Sequence, residues 1–388
     1  MERYINSFAT ENDIQIALEN GELLKPYVAY IEDADRIDWN SKEIVDYTTE
    51  YLTFNILSAG TINWTASNSA ITKTIDYKLN NGEWTPITSN TGSSAPTITV
   101  NSGDKIQFRG NNAQYATDYY SNYNTFSGST ALFEAEGNIM SLIYGDDFKN
   151  KLTISSSYAF GGLFKDCTKL VSAENLILPA TTLKESCYRN MFDGCTSLTT
   201  VPSNLLPATN SPFGCYSQMF QGCTSLTTAP ELPATTLASY CYESMFRDCT
   251  SLTTAPSILP AMILAYHCCE SMFRGCTSLK TAPVSIGTSA ATLDTSCCES
   301  MFYGCTSLTT APELPATTLG NGSYMRMFYN CSSLNYIKCL ATDMSAGACT
   351  LDWVIGVPST GTFVKNPNMT SWTTGTGGIP TGWTVQDA

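Results

Sequence analysis

Met219-Phe220-Gln221-Gly222-Cys223-Thr224-Ser225-Leu226-Thr227-Thr228-Ala229-Pro230 is the stretch from which the rest of the chain can be read. Near-copies surround Cys195, Cys249, Cys276 and Cys305, and weaker ones surround Cys167 and Cys331, so successive leading cysteines are 28, 28, 26, 27, 29 and 26 residues apart. Aligned on that cysteine, the third residue on is Leu170, Leu198, Leu226, Leu252, Leu279, Leu308 or Leu334. Three residues before it stands Phe164, Phe192, Phe220, Phe246, Phe273, Phe302 or Phe328, preceded by Leu163 in the first copy and by methionine in the other six. Proline recurs seven residues on at Pro202, Pro230, Pro256, Pro283 and Pro312, and a second cysteine column lies eight residues upstream at Cys187, Cys215, Cys241, Cys268 and Cys297. A period in the twenties with invariant apolar phases is the pattern of a solenoid whose turns stack. Each turn is expected to add one short strand to a parallel sheet, with equivalent residues about 4.8 Å apart and a rod of roughly 34 Å for seven turns. No turn buries its apolar face alone, so stability accrues through neighbour contacts.

All sixteen cysteines fall between Cys167 and Cys349, most of them at fixed phases of the repeat. That placement reads as an interior ladder of free thiols, small and weakly polar side chains in a tight corner, rather than as a secreted disulfide framework. Disulfides between adjacent rungs stay geometrically open. His267-Cys268-Cys269 with Cys297-Cys298 is the nearest approach to a zinc set. It is set aside because neighbouring strand residues point to opposite faces and C-x-x-C spacing is missing.

Charged residues make up 14% of the 388, against 43% hydrophobic, and Thr, Ser, Asn and Tyr stand in place of charge; about 25% charged is usual for a soluble domain. This is the surface of a β-rich extracellular, adhesive or virion protein more than of a cytosolic metabolic enzyme. With 34 acidic and 20 basic residues the net charge is −14, so nucleic acid is not an expected partner. No apolar run of about 18 residues occurs, so no transmembrane helix is expected. Met1-Glu2-Arg3-Tyr4-Ile5-Asn6-Ser7 lacks a basic segment followed by an apolar one, and the expectation is a protein made and kept in a cytoplasm until lysis or assembly.

Residues 1–48 read as a small leading module. Thr10-Glu11-Asn12-Asp13 caps a short helix through Asn20 with Gly21 as its stop, and Tyr27–Ile31 forms a strand. Asp33, Asp35 and Asp38 follow as a solvated acidic loop, since the glycine and closing glutamate of a calcium loop are missing. Residues 49–136 alternate with period two between polar turns. Ile75–Leu79 and Glu83–Ile87 form a hairpin across Asn80-Asn81-Gly82, and Thr97–Val100 and Lys105–Phe108 form another across Asn101-Ser102-Gly103-Asp104. The pattern predicts a small immunoglobulin-like β-sandwich. At its end Tyr115, Tyr119, Tyr120, Tyr123 and Phe126 crowd among small polar residues. Such a stretch serves either as a sugar- or protein-binding surface or as a long loop packed on its own domain. Gly137–Phe148 reads as an apolar strand that caps the open end of the repeats.

The unit C-x-S-L-x-x-A-P with its upstream Met-Phe resembles the BspA-type (Treponema-type) leucine-rich repeat of Bacteroides-group bacteria and their phages. The resemblance covers about 137–388, from Asn138-Ile139-Met140-Ser141-Leu142 to Pro367-Asn368-Met369-Thr370-Ser371-Trp372 and Gly378-Ile379-Pro380-Thr381-Gly382-Trp383-Thr384-Val385. It implies a noncatalytic surface, adhesion or phage-encoded protein, and the missing export leader favours the virion over the cell surface. No catalytic set contradicts this. The single histidine, His267, has no G-x-S-x-G beside it, no phosphate-binding glycine loop occurs, and Glu231 and Glu313 share one repeat phase with Ser257 and Val284 between them.

The sequence therefore predicts a mainly β protein: an N-terminal attachment module at 1–48, a β-sandwich-like domain at 49–136 and a capped leucine-rich solenoid of about seven turns at 137–388. No enzyme activity, cofactor or metal is expected. The expected role is a phage virion accessory protein, a fibre or decoration, joined to other virion proteins through the N-terminal module. Its partner is a host cell-surface protein or glycan, and the assembly is a homo-oligomer. The alternatives are a bacterial surface adhesin and a purely structural decoration. Binding is expected on the aromatic stretch from Tyr115 to Phe126 and on the variable residues after the Phe column, Arg247, Arg274, Tyr303 and Tyr329.

Overall fold

The structure, a computed structural model, describes residues 6–8, 29–31, 36–38, 48–118, 121–260, 263–287, 292–370 and 372–388. The helix expected over 10–20, together with Asp33 and Asp35, lies outside the described residues. In the leading module β2 (Ala29–Ile31) pairs parallel with β1 (Asn6–Phe8) and antiparallel with β3 (Arg36–Asp38).

Among the described residues nine strands follow: β4 (Leu52–Ile56), β5 (Gly60–Asn63), β6 (Thr65–Ala66), β7 (Thr74–Leu79), β8 (Thr85–Thr88), β9 (Thr97–Val100), β10 (Lys105–Arg109), β11 (Asn124–Thr125) and β12 (Phe133–Asn138). β12, β4, β10, β7 and β8 lie side by side in one sheet, while β5 pairs with β9 and β6 with β11. The β7–β8 hairpin forms as its Asn-Asn-Gly turn predicts, with Asn80 at φ +53°. The second expected hairpin does not. β9 and β10 are joined by the Asn101–Asp104 turn but pair in different ladders, β9 with β5 and β10 with β4 and β7. Alternation alone leaves the partner open, and here burial chose it. Ile98 and Val100 come from one ladder and Ile106 and Phe108 from the other, all into one core. Phe54 holds that core's centre, with Phe133, Phe108 and Phe126 at 4.4, 4.7 and 4.8 Å between ring centroids.

The expected boundary between residues 136 and 137 falls inside β12. β12 pairs antiparallel with β4 on one side and parallel with β13 (Leu170–Ile177), the first long strand of the repeats, on the other. Gly137–Phe148 does not continue as one strand. After Asn138 the chain turns into a helix at Ser141–Tyr144 and a 3-10 turn at Gly145–Phe148, burying Ile139, Met140, Leu142 and Phe148.

Along the repeats the strands are short: β14 (Asn210–Ser211), β15 (Thr236–Leu237), β16 (Ile263–Leu264) and β17 (Thr292–Leu293) form a parallel ladder of two-residue rungs. Most of each rung is a chain of linked turns. In one rung the amides of Gln218, Phe220 and Gly222 donate to Glu243, Met245 and Arg247 of the next rung, at 2.8–2.9 Å. The amides between them, those of Met219, Gln221 and Cys223, close three-residue turns onto Tyr216, Gln218 and Phe220. Every fourth residue is left-handed, here Gly214, Gln218 and Gly222 at φ +56°, +56° and +70°, as repeated tight turns of this kind require. The columns inferred from the sequence then point inward: the Leu, Met, Phe and leading Cys residues of the repeats are all essentially inaccessible. The Phe rings stack from Phe164 to Phe302 at 5.3–5.5 Å with interplanar angles of 1–10°.

The leading cysteines have a specific task. The thiols of Cys195, Cys223, Cys249, Cys276, Cys305 and Cys331 each donate to the Phe carbonyl one rung back, at 3.0–3.1 Å. That carbonyl also accepts the cysteine amide of its own rung, so both of its lone pairs are used. All sixteen cysteines are free.

Both ends are closed by aromatic rings. At the front, Phe126 stacks on Phe164 at 5.8 Å and Tyr115 on Phe160 at 6.4 Å, extending the two interior ring ladders by one step. Cys167 donates to the Phe126 carbonyl at 3.4 Å, copying the bond of the later rungs. At the back Trp353 stacks on Trp372 at 5.6 Å, and β18 (Tyr336–Cys339), β19 (Thr362–Lys365) and β20 (Thr384–Asp387) form a parallel sheet.

Two predictions follow from this architecture. Phe126→Ala should lower the stability of the β domain and the repeats together by about 3–5 kcal/mol, read as one shifted urea midpoint by circular dichroism. Burial pushes Cys167, Cys187, Cys331 and Cys339 up to about 12. An unfolded thiol releases its proton near about 8.5, so these groups stabilise the fold fully below that pH and lose the contribution as pH rises towards 12. Each contributes a slope of about 1.4 kcal/mol per pH unit in that window. Denaturant midpoints should hold from pH 6 to 8 and fall steeply from about 8.5 to 11.

Candidate recognition face

The residue after each interior Phe, or after Val354 in the last rung, sits in one row along the chained turns, half-buried except at Asp193, which is buried. In rung order these are Lys165, Asp193, Gln221, Arg247, Arg274, Tyr303, Tyr329 and, in the last rung, Ile355, each aligned by an amide that donates to its carbonyl or to the equivalent one. Arg247, Arg274, Tyr303 and Tyr329 thus do share one row. The Arg274 guanidinium lies 4.6 Å from the Tyr303 ring centroid, and Tyr303 stacks on Tyr329 at 4.7 Å and 1°. The Arg247 Nε stays 3.4 Å from Asp248 Oδ2, one rung away from this stack. Gly275 follows Arg274 at φ +75°, and a Cβ there would meet the present position of Asp248 Oδ1 at 2.3 Å, so the left-handed backbone favours glycine and a side chain would have to displace that carboxylate.

The stack borders a hollow of about 330 Å³ lined by Arg274, Ser300, Tyr303, Arg326, Tyr329, Asp352 and Ile355. Arg326 Nε is 3.9 Å from Asp352 Oδ2 and its side chain is exposed. Arg274 covers one face of Tyr303 and Tyr329 the other, so the stack can offer the hollow ring edges and the outer Tyr329 face beside guanidinium and carboxylate groups, an apolar wall with a few polar contacts. Arg326 and Asp352 were not singled out from the sequence. Their column is otherwise Gly162, Asn190, Gln218, Ser244, Ser271 and Ser300, so the change from uncharged to charged residues was the available signal.

At the other end of the row a hollow of about 230 Å³ is lined by Tyr123, Lys165, Arg189, Asp193 and Gln221, among others. Lys165 pairs with Asp193. Burial pulls Lys165 down, but the hydrogen bond and charge of Asp193 outweigh it and leave the amine above its ordinary range. The buried Arg189 donates to Ser217 Oγ at 2.5 Å and lies 3.7 Å from Glu243 Oε2, to which Ser217 donates at 2.8 Å. Among the described aromatic residues of the stretch, Tyr123 lines this hollow. Tyr115 and Phe126 are fully buried as the front of the ring ladders, which corrects the expectation of a binding surface there, and Tyr119 and Tyr120 lie outside the described residues. The stretch looked exposed because its neighbours are small and polar, yet its two most widely separated rings cap the solenoid.

No family profile matches this chain. No curated protein matches it. A solved structure, a leucine-rich repeat protein from Bacteroides ovatus, is similar at 15% identity, covering 67% of this chain and 95% of its own, with a TM-score of 0.18. So loose a superposition carries no argument, and the solenoid stands on the chain's own hydrogen bonding and packing.

The remaining sequence candidates are not convergent. Glu231 accepts from the Ser257 amide and hydroxyl, and Glu313 pairs with Lys338 at 3.0 Å, two rungs or more apart. Cys268, Cys269, Cys297 and Cys298 are all buried, contrary to the opposite-face argument, because they sit in turns rather than a strand. Cys269 and Cys298 replace the stacked tyrosines Tyr188, Tyr216, Tyr242 and Tyr324 of the same column, and Cys268 Sγ lies 3.6 Å from Cys269 Sγ. A double-mutant cycle of Arg274→Ala and Tyr303→Ala, measured by chemical denaturation, should give a coupling of about 0.5–1 kcal/mol for the guanidinium–ring contact.

Proposed function

We propose that this chain is a noncatalytic recognition protein, a phage virion accessory component of fibre or decoration type, whose repeat face binds a host cell-surface glycan or protein. The observation that carries the reading is the hollow beside Arg274, Tyr303 and Tyr329, where Arg326 and Asp352 supply polar contacts beside the end of an aromatic stack. Sugar rings present C–H faces to aromatics and hydroxyl pairs to guanidinium and carboxylate groups, and this hollow offers each of those partners. Support for a displayed surface comes from the 14% charged fraction and the resemblance of the repeat to the BspA type. The immunoglobulin-like reading of residues 49–136, the attachment role of residues 1–48 and a homo-oligomeric assembly belong to the same proposal.

Because β12 joins the two regions in one sheet, deleting the repeats would strip β12 of a partner strand and uncover Tyr115 and Phe126, so point variants are the proper test. Tyr329→Ala and Arg326→Ala should keep the far-ultraviolet dichroism of the parent and bind host cells, or a host glycan array, at least tenfold more weakly. Unchanged binding by both variants would favour the purely structural decoration. Binding lost only from an intact bacterial surface of origin would favour the adhesin.

A further inference from the structure

His267, Glu270 and Glu299 form a second cluster on the chained turns. One imidazole nitrogen and two carboxylate oxygens there all lie within 4.8 Å of one another. The rung geometry brings them together. Glu270 and Glu299 occupy one column on successive rungs, held in register by the Ser271 amide donating to the Glu299 carbonyl at 2.8 Å. His267 is three residues before Glu270, and its Nδ1 meets Glu270 Oε2. The imidazole is oriented from two sides, stacked on Tyr240 at 5.2 Å and 5° and met edge-on by Tyr266 at 4.0 Å.

The charge balance is incomplete at this point. Glu243, one rung back in the same column, has Arg189 and Ser217 beside it. Among the described residues no lysine or arginine forms an ion pair with Glu270 or Glu299. Two carboxylates at rung spacing repel, and among the described residues the ion pair found for either is that of Glu270 with His267.

We propose that His267, Glu270 and Glu299 bind a divalent first-row transition ion of the zinc and manganese class. One nitrogen and two oxygens suit such an ion, whereas calcium takes six to eight oxygens and copper(I) prefers thiolates. All three side chains are half-buried, so the remaining coordination positions face solvent and stay open to water or to a ligand oxygen.

The test uses the full chain. Calorimetric titration with Zn²⁺ should show one saturable site per chain, reversed by EDTA. Co²⁺ as a spectroscopic probe should give d–d absorption without the intense thiolate-to-cobalt charge-transfer band, separating this site from the buried cysteines. Glu299→Gln and His267→Gln should each weaken uptake at least tenfold while the metal-free unfolding midpoint stays with the parent; should one of them unfold, the other decides. No saturable uptake, a thiolate charge-transfer band, or parent-like uptake by a folded variant would each overturn the proposal.

Discussion

Everything in the repeat region depends on how one rung divides its amide donors. Alternate N–H groups cross to the next rung, and those between fold back three residues to close turns. Neither half suffices alone. The turns cannot stack without the cross-rung bonds, and the bonds have no register without the turns. Left-handed residues at every fourth position follow from this arrangement, including non-glycine ones such as Gln218, Ser244 and Ser271. A non-glycine residue there costs roughly 1 kcal/mol, offset by its cross-rung hydrogen bond and by the apolar rows it helps to stack.

The cysteine column is best understood within that division. An interior Phe carbonyl already accepts one amide, and a small S–H donor on the next rung fills its second lone pair without adding bulk. Serine would donate as well but is costlier to bury, and alanine would leave the carbonyl half-satisfied. The same stacking sets outward residues in straight rows about one rung apart. Identical columns inside therefore produce a regular display outside, and the variation from Gln221 through Arg274 to Tyr329 becomes chemistry along a line. The metal-type cluster and the Arg–Tyr stack are both products of that in-line placement.

The front of the molecule shows how a solenoid end can be closed by another fold. The β domain lends β12 to the first repeat strand and lends Tyr115 and Phe126 to the two ring ladders. The interface is a continuous sheet and core rather than a hinge. The two regions are thus expected to unfold as one unit, and a ligand on the repeat face would be held rigidly with respect to the β domain.

The repeat length, the interior columns, the free thiols and the row of Arg247, Arg274, Tyr303 and Tyr329 were all legible in the sequence, because each recurs at a fixed phase and recurrence reports stacking directly. Partners without a repeat were not legible. Alternation in Thr97–Val100 and Lys105–Phe108 marked two strands but not which ladder each would join, and the aromatic stretch at Tyr115–Phe126 looked exposed from its polar neighbours. Arg326 and Asp352 join the hollow, and Glu299 meets His267, only because rungs about 26–29 residues apart come into register. Local pattern determines which face a residue takes, while the residue across from it is chosen by packing between segments distant in the chain, and that choice belongs to the tertiary structure alone.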